Sequence, residues 1–325
     1  LGIHASPTCA MAYGAESDGA VAYLVGEEHQ GIQHMFTMMN NARLCVGLQG
    51  VALAERASQA AHAYASERVQ GKDAATGEPD VTIDRHGDVQ RMLGTMRALT
   101  RAGRGLCYSA ARSLDDARVG DGRAQARLDI LTPVVKAWCT DNAQEVCDLA
   151  IQVHGGMGFI EETGVAQFYR DARILPIYEG TNGVQATDLV FRKLLRDDGA
   201  ALNTFLDELS RVRETSVETL SVHLPDIDDW LSDANGLLDR ATRKIFAHHE
   251  NNAIKALERS SYPFLSLFGT VAAGFILARN AAIAQEADKP AAFRNEILSD
   301  LDFYCRFILP RARTCYPAIK APMGE

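Results

Sequence analysis

Three stretches of about thirty residues carry apolar residues at helical spacing and are separated by short glycine-rich breaks, which limits the fold more than any other feature. From Ile32 to Ser66 the positions Ile32, Met35, Phe36, Met39, Leu48, Val51 and Leu53 recur with no proline among them, so one long helix is expected, with a bend allowed near Gly47 and Gly50. Residues Gly71 to Pro79 read as a loop. A second helix starts near Asp84, carries Val89, Met92, Leu93, Met96 and Leu99, and stops at Gly120, Asp121 and Gly122. A third runs from about Arg123 to Val153 with Leu128, Leu131, Val134, Val135, Trp138, Val146 and Leu149 inward, until Gly155 and Gly156 break it. A fourth begins after Thr181, whose hydroxyl suits a helix cap, and continues through Val184, Leu189, Val190 and Leu194. The expected fold class is therefore mainly α, a four-helix bundle over residues 31–198.

Residues 199–325 read as an additional helical domain, with one stripe at Leu202, Phe205, Leu206 and Leu209 and another around Phe264, Leu265, Leu267 and Phe268. Before the bundle, Ala20 to Val25 alternates loosely in strand fashion, with Tyr23 and Val25 on one side. Residues 1–30 thus read as the end of a β-domain, in a chain expected to be truncated.

At 325 residues and 47% apolar content the chain can bury a sizeable core. Its net charge of -9 disfavours a nucleic-acid partner, which would need clustered Lys and Arg. Seven cysteines without a CxxC pair suit free thiols in a reducing compartment, and no disulfide is expected. No run approaches the ~20 apolar residues of a membrane span, and the N-terminus lacks the pattern of a secretory leader. A soluble, cytoplasmic protein is expected.

The densest chemistry lies between Ile151 and Gly183. Glu179 sits between the apolar run Ile174, Leu175, Ile177, Tyr178 and the pair Gly180, Thr181, a setting in which a carboxylate becomes a stronger base. Taken alone, the same residue could be a turn carboxylate stabilised by a helix N-terminus. His154 begins a His-Gly-Gly run, but no serine has a glycine both two positions before and two positions after it, so a hydrolase reading fails and His154 is expected to be structural. His248 and His249 are adjacent on a helix, point apart and cannot chelate; no metal site is expected. Met35, Met38 and Met39 are expected in the core.

Gln152, Gly155, Gly156 and the stretch Tyr178 to Thr181, together with Asn40 to Arg43 and Glu67 to Lys72, resemble the motifs of the acyl-CoA dehydrogenase family in that family's order. The resemblance covers residues 1 to about 197. The tail looks like the extension of a bacterial subgroup that includes methylmercaptopropionyl-CoA dehydrogenases. It implies an FAD-dependent α,β-dehydrogenation of an acyl-CoA thioester, with Glu179 as the base taking the α-proton, the β-hydrogen leaving as hydride to flavin N5, and electrons passing to an electron-transferring flavoprotein. It implies that Arg68, Gln70, Gln152, Gly155, Gly156 and Thr181 contact FAD, partly across a subunit interface, and that Asn40, Arg43 and Gly180 contact substrate. A homodimer or homotetramer follows. Relatives often have a hydroxyl residue and an aromatic where this chain has Val69, Gln70 and Gly71, and the base position that some relatives use before Arg43 is Ala42 here. An oxygen-using acyl-CoA oxidase, or a non-catalytic helical scaffold, are the alternatives.

Overall fold

The computed structural model describes residues 1–15 and 19–321, and the fold is helical. The first long helix, α1 (Gly31–Glu67), is continuous. Next come α2 (Gly87–Arg118) and α3 (Gly122–His154), then the short α4 (Gly156–Phe159), α5 (Val165–Ala172) and α6 (Asn182–Thr187). The last of these runs on in π-helical geometry over Asp188–Leu194. Five more helices complete the chain: α7 (Ala200–Leu220), α8 (Ile227–Glu250), α9 (Ile254–Glu286), α10 (Ala291–Phe303) and α11 (Ala312–Lys320).

The breaks have local causes. Asp121 caps α3 by accepting from the N–H groups of Arg123 and Ala124 at 2.9 and 3.2 Å, and Gly120 turns the chain at φ +98°. Thr181 Oγ1 accepts from the Val184 N–H at 3.3 Å and caps α6, as its position in the sequence suggested.

Helices α1 and α3 lie side by side and parallel, and the glycines explain how. A Cβ on Gly47 would stand 2.5 Å from Val135 Cγ1, and one on Gly50 would stand 2.8 Å from the Cys139 carbonyl oxygen. These glycines permit close backbone approach. At the far end of the pair, Tyr64 stacks on His154 at 4.3 Å between ring centroids, and His154 Nδ1 bonds the Ala150 carbonyl at 2.7 Å, so this histidine is structural.

Helix α9 packs on α2, α3 and α6 as well as on α7, α8, α10 and α11, and one continuous cluster of buried side chains spans both halves of the chain. Contrary to the expectation that no run approaches a membrane span, α9 is by length and composition long and apolar enough to cross one, and 83% of its most apolar stretch is buried inside this fold. Trp138 Nε1 donates to Thr270 Oγ1 at 3.1 Å across the α3–α9 contact. All seven cysteines are free thiols.

Two further expectations fail. Ala20 to Val25 is not a strand: no strand occurs among the described residues, and Val21, Tyr23 and Val25 are more than four-fifths exposed. Alternation is only half of a strand, because its backbone groups also need a neighbouring ladder, and none lies beside this segment. Met35 and Met38 are exposed rather than in the core, at 42% and 65%, and Ile32 is exposed with them. The helical spacing there is real, but the first turns of α1 project beyond the helices that bury the rest of it.

G50A is expected to lower stability by about 1–2 kcal/mol. The methyl meets the Cys139 backbone, which cannot swing aside, so the clash falls in the upper part of the overpacking range, about 2–3 kcal/mol, and outweighs the ~1 kcal/mol gain in helix propensity. An unchanged urea midpoint would show that α1 and α3 have room to spare.

Candidate active site

The loop that carries Glu179 is held from below by one side chain. Asn182 is buried; its Oδ1 accepts from Lys136 Nζ at 2.8 Å, and its Nδ2 donates to Asp141 Oδ1 at 2.8 Å, Thr140 Oγ1 at 3.0 Å and the Ala137 carbonyl at 3.2 Å. Its backbone N–H donates to the Pro176 carbonyl at 3.0 Å, closing residues 176–182 into a tight loop. The fully buried Gln185 reaches back from α6 and donates from Nε2 to the carbonyls of Glu179 and Gly180 at 3.3 and 3.4 Å.

Within that loop Glu179 has φ +56° and Gly180 φ +82°. The left-handed region is unfavourable for a residue with a Cβ, and such strain is retained where surrounding bonds over-determine it. Glu179 itself is half-buried. Among the described residues, no acceptor pairs with the N–H groups of Glu179, Gly180 and Thr181. One carboxylate and three free backbone donors therefore share a single turn.

Arg43 stands beside them. It is buried, its guanidinium pairs with Asp188 at 3.4 Å, its Nε has no acceptor, and a Cβ on Gly180 would lie 3.7 Å from its Nη2. Asp188 is the first residue of the π-helical turn, an irregularity that is frequent at functional sites. A cavity of about 290 Å³ lies against Arg43 and Asp188, lined also by Asn40, Leu128 and Pro133; Glu179, Gly180 and Thr181 are not among its walls. Pro133 lacks an N–H, so the carbonyl of Asp129, which also lines the cavity, loses its helical partner.

Sequence reasoning missed Lys136, Asp141 and Tyr262. Lys136 is fully buried, and desolvation, reinforced by Arg43 and opposed by Asp141 and Glu179, pulls its pKa down to about 8. Burial raises the Asp141 carboxyl above its usual range, despite hydrogen bonds from Tyr262 and Asn182 and the charges of Lys136 and Arg173. Tyr262, on α9, donates to Asp141 Oδ2 at 2.5 Å, and burial first, then the Asp141 charge, raises its phenol. The one legible clue was a lysine inside the apolar run Leu131 to Trp138.

The remaining sequence-predicted residues lie elsewhere. Arg68 and Gln70 are exposed just past the end of α1, and Gln152, Gly155 and Gly156 are exposed at the matching end of α3. Gly155 has φ +59°, and a Cβ on either glycine would meet nothing within 4 Å. From Arg43 to Arg68 the chain follows one continuous helix, about 37 Å at ~1.5 Å per residue. Glu179, Gly180, Thr181, Arg43 and Asn40 thus gather at one end, and the other five at the opposite end.

The family model described as acyl-CoA dehydrogenase, C-terminal domain, matches residues 29–194, just over half the chain, and one described as acetyl-CoA dehydrogenase C-terminal like matches residues 200–323. The chain belongs to the acyl-CoA dehydrogenase family. Over 293 residues it is 45% identical to the 3-methylmercaptopropionyl-CoA dehydrogenase of Ruegeria pomeroyi, covering 89% of this chain and 49% of that protein. It is 32% identical over 301 residues to the broad-specificity linear acyl-CoA dehydrogenase FadE5 of Mycobacterium tuberculosis, covering 88% and 49%. It spans about half the length of these curated relatives. Its fold is that of an acyl-CoA dehydrogenase complexed with FAD from Bacillus anthracis, at a TM-score of 0.69 and 20% identity over 90% of this chain and 50% of that one. The mainly helical fold class is that of the acyl-CoA dehydrogenase C-terminal domain.

Lys136 gives this acyl-CoA dehydrogenase domain a pH signature. Unfolded, the lysine keeps its proton until about pH 10.4, whereas folded it gives the proton up near pH 8, so the cost of burying its charge is fully present below pH 8 and is relieved as pH rises. Relative to K136M, the wild type should gain about 2–3 kcal/mol of unfolding free energy between pH 7 and 10.5, in denaturant titrations. A stability difference independent of pH would show that Lys136 stays protonated.

Proposed function

We propose that this chain is the base-bearing part of an FAD-dependent acyl-CoA dehydrogenase, with Glu179 taking the α-proton of the acyl thioester. The observation that carries the reading is the turn at Glu179. Removing that proton requires a base and, beside it, donors for the thioester oxygen as it becomes enolate-like. Here the carboxylate and the unpaired N–H of the same residue sit together, with those of Gly180 and Thr181 next to them. Asn182 and Gln185 fix the loop, so the donors need little reorganisation when charge develops. Arg43, held by Asp188, orders the adjoining wall, and Asn40 meets the CoA chain at the mouth of the same cavity.

FAD, when bound, supplies the acceptor for the β-hydrogen that leaves as hydride. The exposed residues at the opposite end suit such a ligand. Arg68 has no carboxylate partner among the described residues, which leaves its fork for a pyrophosphate with Gln70 beside it. The open space above Gly155 and Gly156, next to Gln152, admits the adenosine half. With about 37 Å along α1 between Arg43 and Arg68, one copy would offer its Arg68 and Gly155 ends to the active site of another, which requires a homodimer or homotetramer. Thr181 faces the flavin in this reading, and an electron-transferring flavoprotein in the cytoplasm receives the electrons.

In the flavin-loaded protein, E179Q is expected to retain FAD while slowing flavin bleaching by a short-chain acyl-CoA by about 10²–10⁴-fold under anaerobic stopped flow. A wild-type rate in that variant would remove Glu179 from the role of base.

A further inference from the structure

Where α2 and α3 meet α7 and α9, a second cleft of about 460 Å³ opens on a different face of the bundle from the Glu179 loop. Its charges do not balance. Five guanidinium groups line it, Arg112, Arg123, Arg127, Arg211 and Arg279, against the three carboxylates Asp116, Asp121 and Glu208. The chain as a whole carries -9, so this excess is local.

The carboxylates are already engaged. Asp116 pairs with Arg112 four residues away, Asp121 caps α3, and Glu208 pairs with Arg127, whose Nη2 also donates to Ser109 Oγ at 2.7 Å. Among the described residues, the side chains of Arg123, Arg211 and Arg279 hold no carboxylate or carbonyl. Arg279 is half-buried. Its Nε and that of Arg127 are closed off from solvent and have no acceptor, an arrangement rarely left unsatisfied. Burial, and then repulsion from Arg127, lowers the pKa of Arg279 against the opposing pull of Glu208. Tyr108, 63% exposed, presents a ring at the same cleft.

We propose that this cleft binds a phosphorylated ligand of mononucleotide size, with its phosphate on the free guanidinium of Arg279, further positive charge from the unpaired Arg123 and Arg211, and a planar base against Tyr108. Arginine forks match phosphate oxygens in geometry and charge, and an aromatic face stacks on a base without regard to its sequence identity. The volume falls within the range of small-molecule sites, and a lone phosphate would leave most of it unfilled.

Calorimetric titration of the full chain with ADP, pyrophosphate and coenzyme A tests this. ADP is expected to bind more tightly than pyrophosphate, with affinity falling about tenfold or more in R279Q and less in R279K, which keeps the charge without the fork. Exposed Arg211 supplies a variant that cannot fail by misfolding, and R211Q should weaken ADP modestly. Displacement of ADP by coenzyme A would identify the nucleotide end of a CoA thioester as the ligand; coexistence of the two would identify a separate nucleotide. No ADP binding at millimolar concentration, or equal binding by wild type and folded R279Q, overturns the proposal.

Discussion

A lysine ammonium closed off from water, held by a side-chain amide, sets the shape of the Glu179 loop. Removing Lys136 from solvent is costly, and the cost is tolerable only because Asn182 Oδ1 accepts from it at 2.8 Å while Asp141 lies close enough to favour its charge. Asn182 has no freedom left once its amide also serves Asp141, Thr140 and Ala137. The residue is two positions beyond Gly180, so fixing it fixes the turn. The left-handed backbone of Glu179, costing roughly 1–3 kcal/mol, then follows from anchors on α3 and α6 and not from any preference of its own.

The long helices were legible because their signal is local. Apolar spacing near 3.6 and punctuation by Gly120 and Gly155 suffice to place α1, α2 and α3 within a few residues, and the Thr181 cap could be read the same way. Failure came where the deciding partner is remote or lacking. The alternation at Ala20 to Val25 carried no information about a neighbouring strand, and the methionine spacing at the start of α1 could not say whether another helix covers it. In the site, the residues of recognisable motifs were visible, but their supports were not. Lys136 meets Asn182 across 46 positions, Tyr262 meets Asp141 across 121, and Arg43 meets Asp188 across 145. No local pattern encodes such pairs.

Helix α1 acts as a spacer with different chemistry at its two ends. Near its start, Arg43 borders the Glu179 loop; at its end, Tyr64 stacks on His154 and presents Arg68 beside the Gly155 turn. Its close contact with α3 at Gly47 and Gly50 makes the separation rigid, because neither helix can slide without driving side-chain atoms into backbone. The split of the motif residues into two groups is therefore a fixed property of the bundle.

The C-terminal helices are part of the same construction. Tyr262 on α9 ties Asp141, and through it Asn182, to a helix that lies beyond the four-helix bundle, and Thr270 on the same helix takes the Trp138 N–H. On α10, the buried Asp300 holds Arg97 and Arg101 of α2, and Glu145 of α3 receives Arg311 at 2.8 Å. These ties join residues 200–321 to α2 and to α3, the helix that carries Lys136, through the buried core as well as through surface pairs. Exposed ion pairs alone contribute little, but the continuous apolar cluster beneath them removes the large side chains of α9 from water, and that burial keeps the polar chain from Tyr262 to Asn182 aligned. The loop carrying Glu179 thus depends on helices more than seventy residues downstream of it, which is why its geometry cannot be derived from the bundle alone.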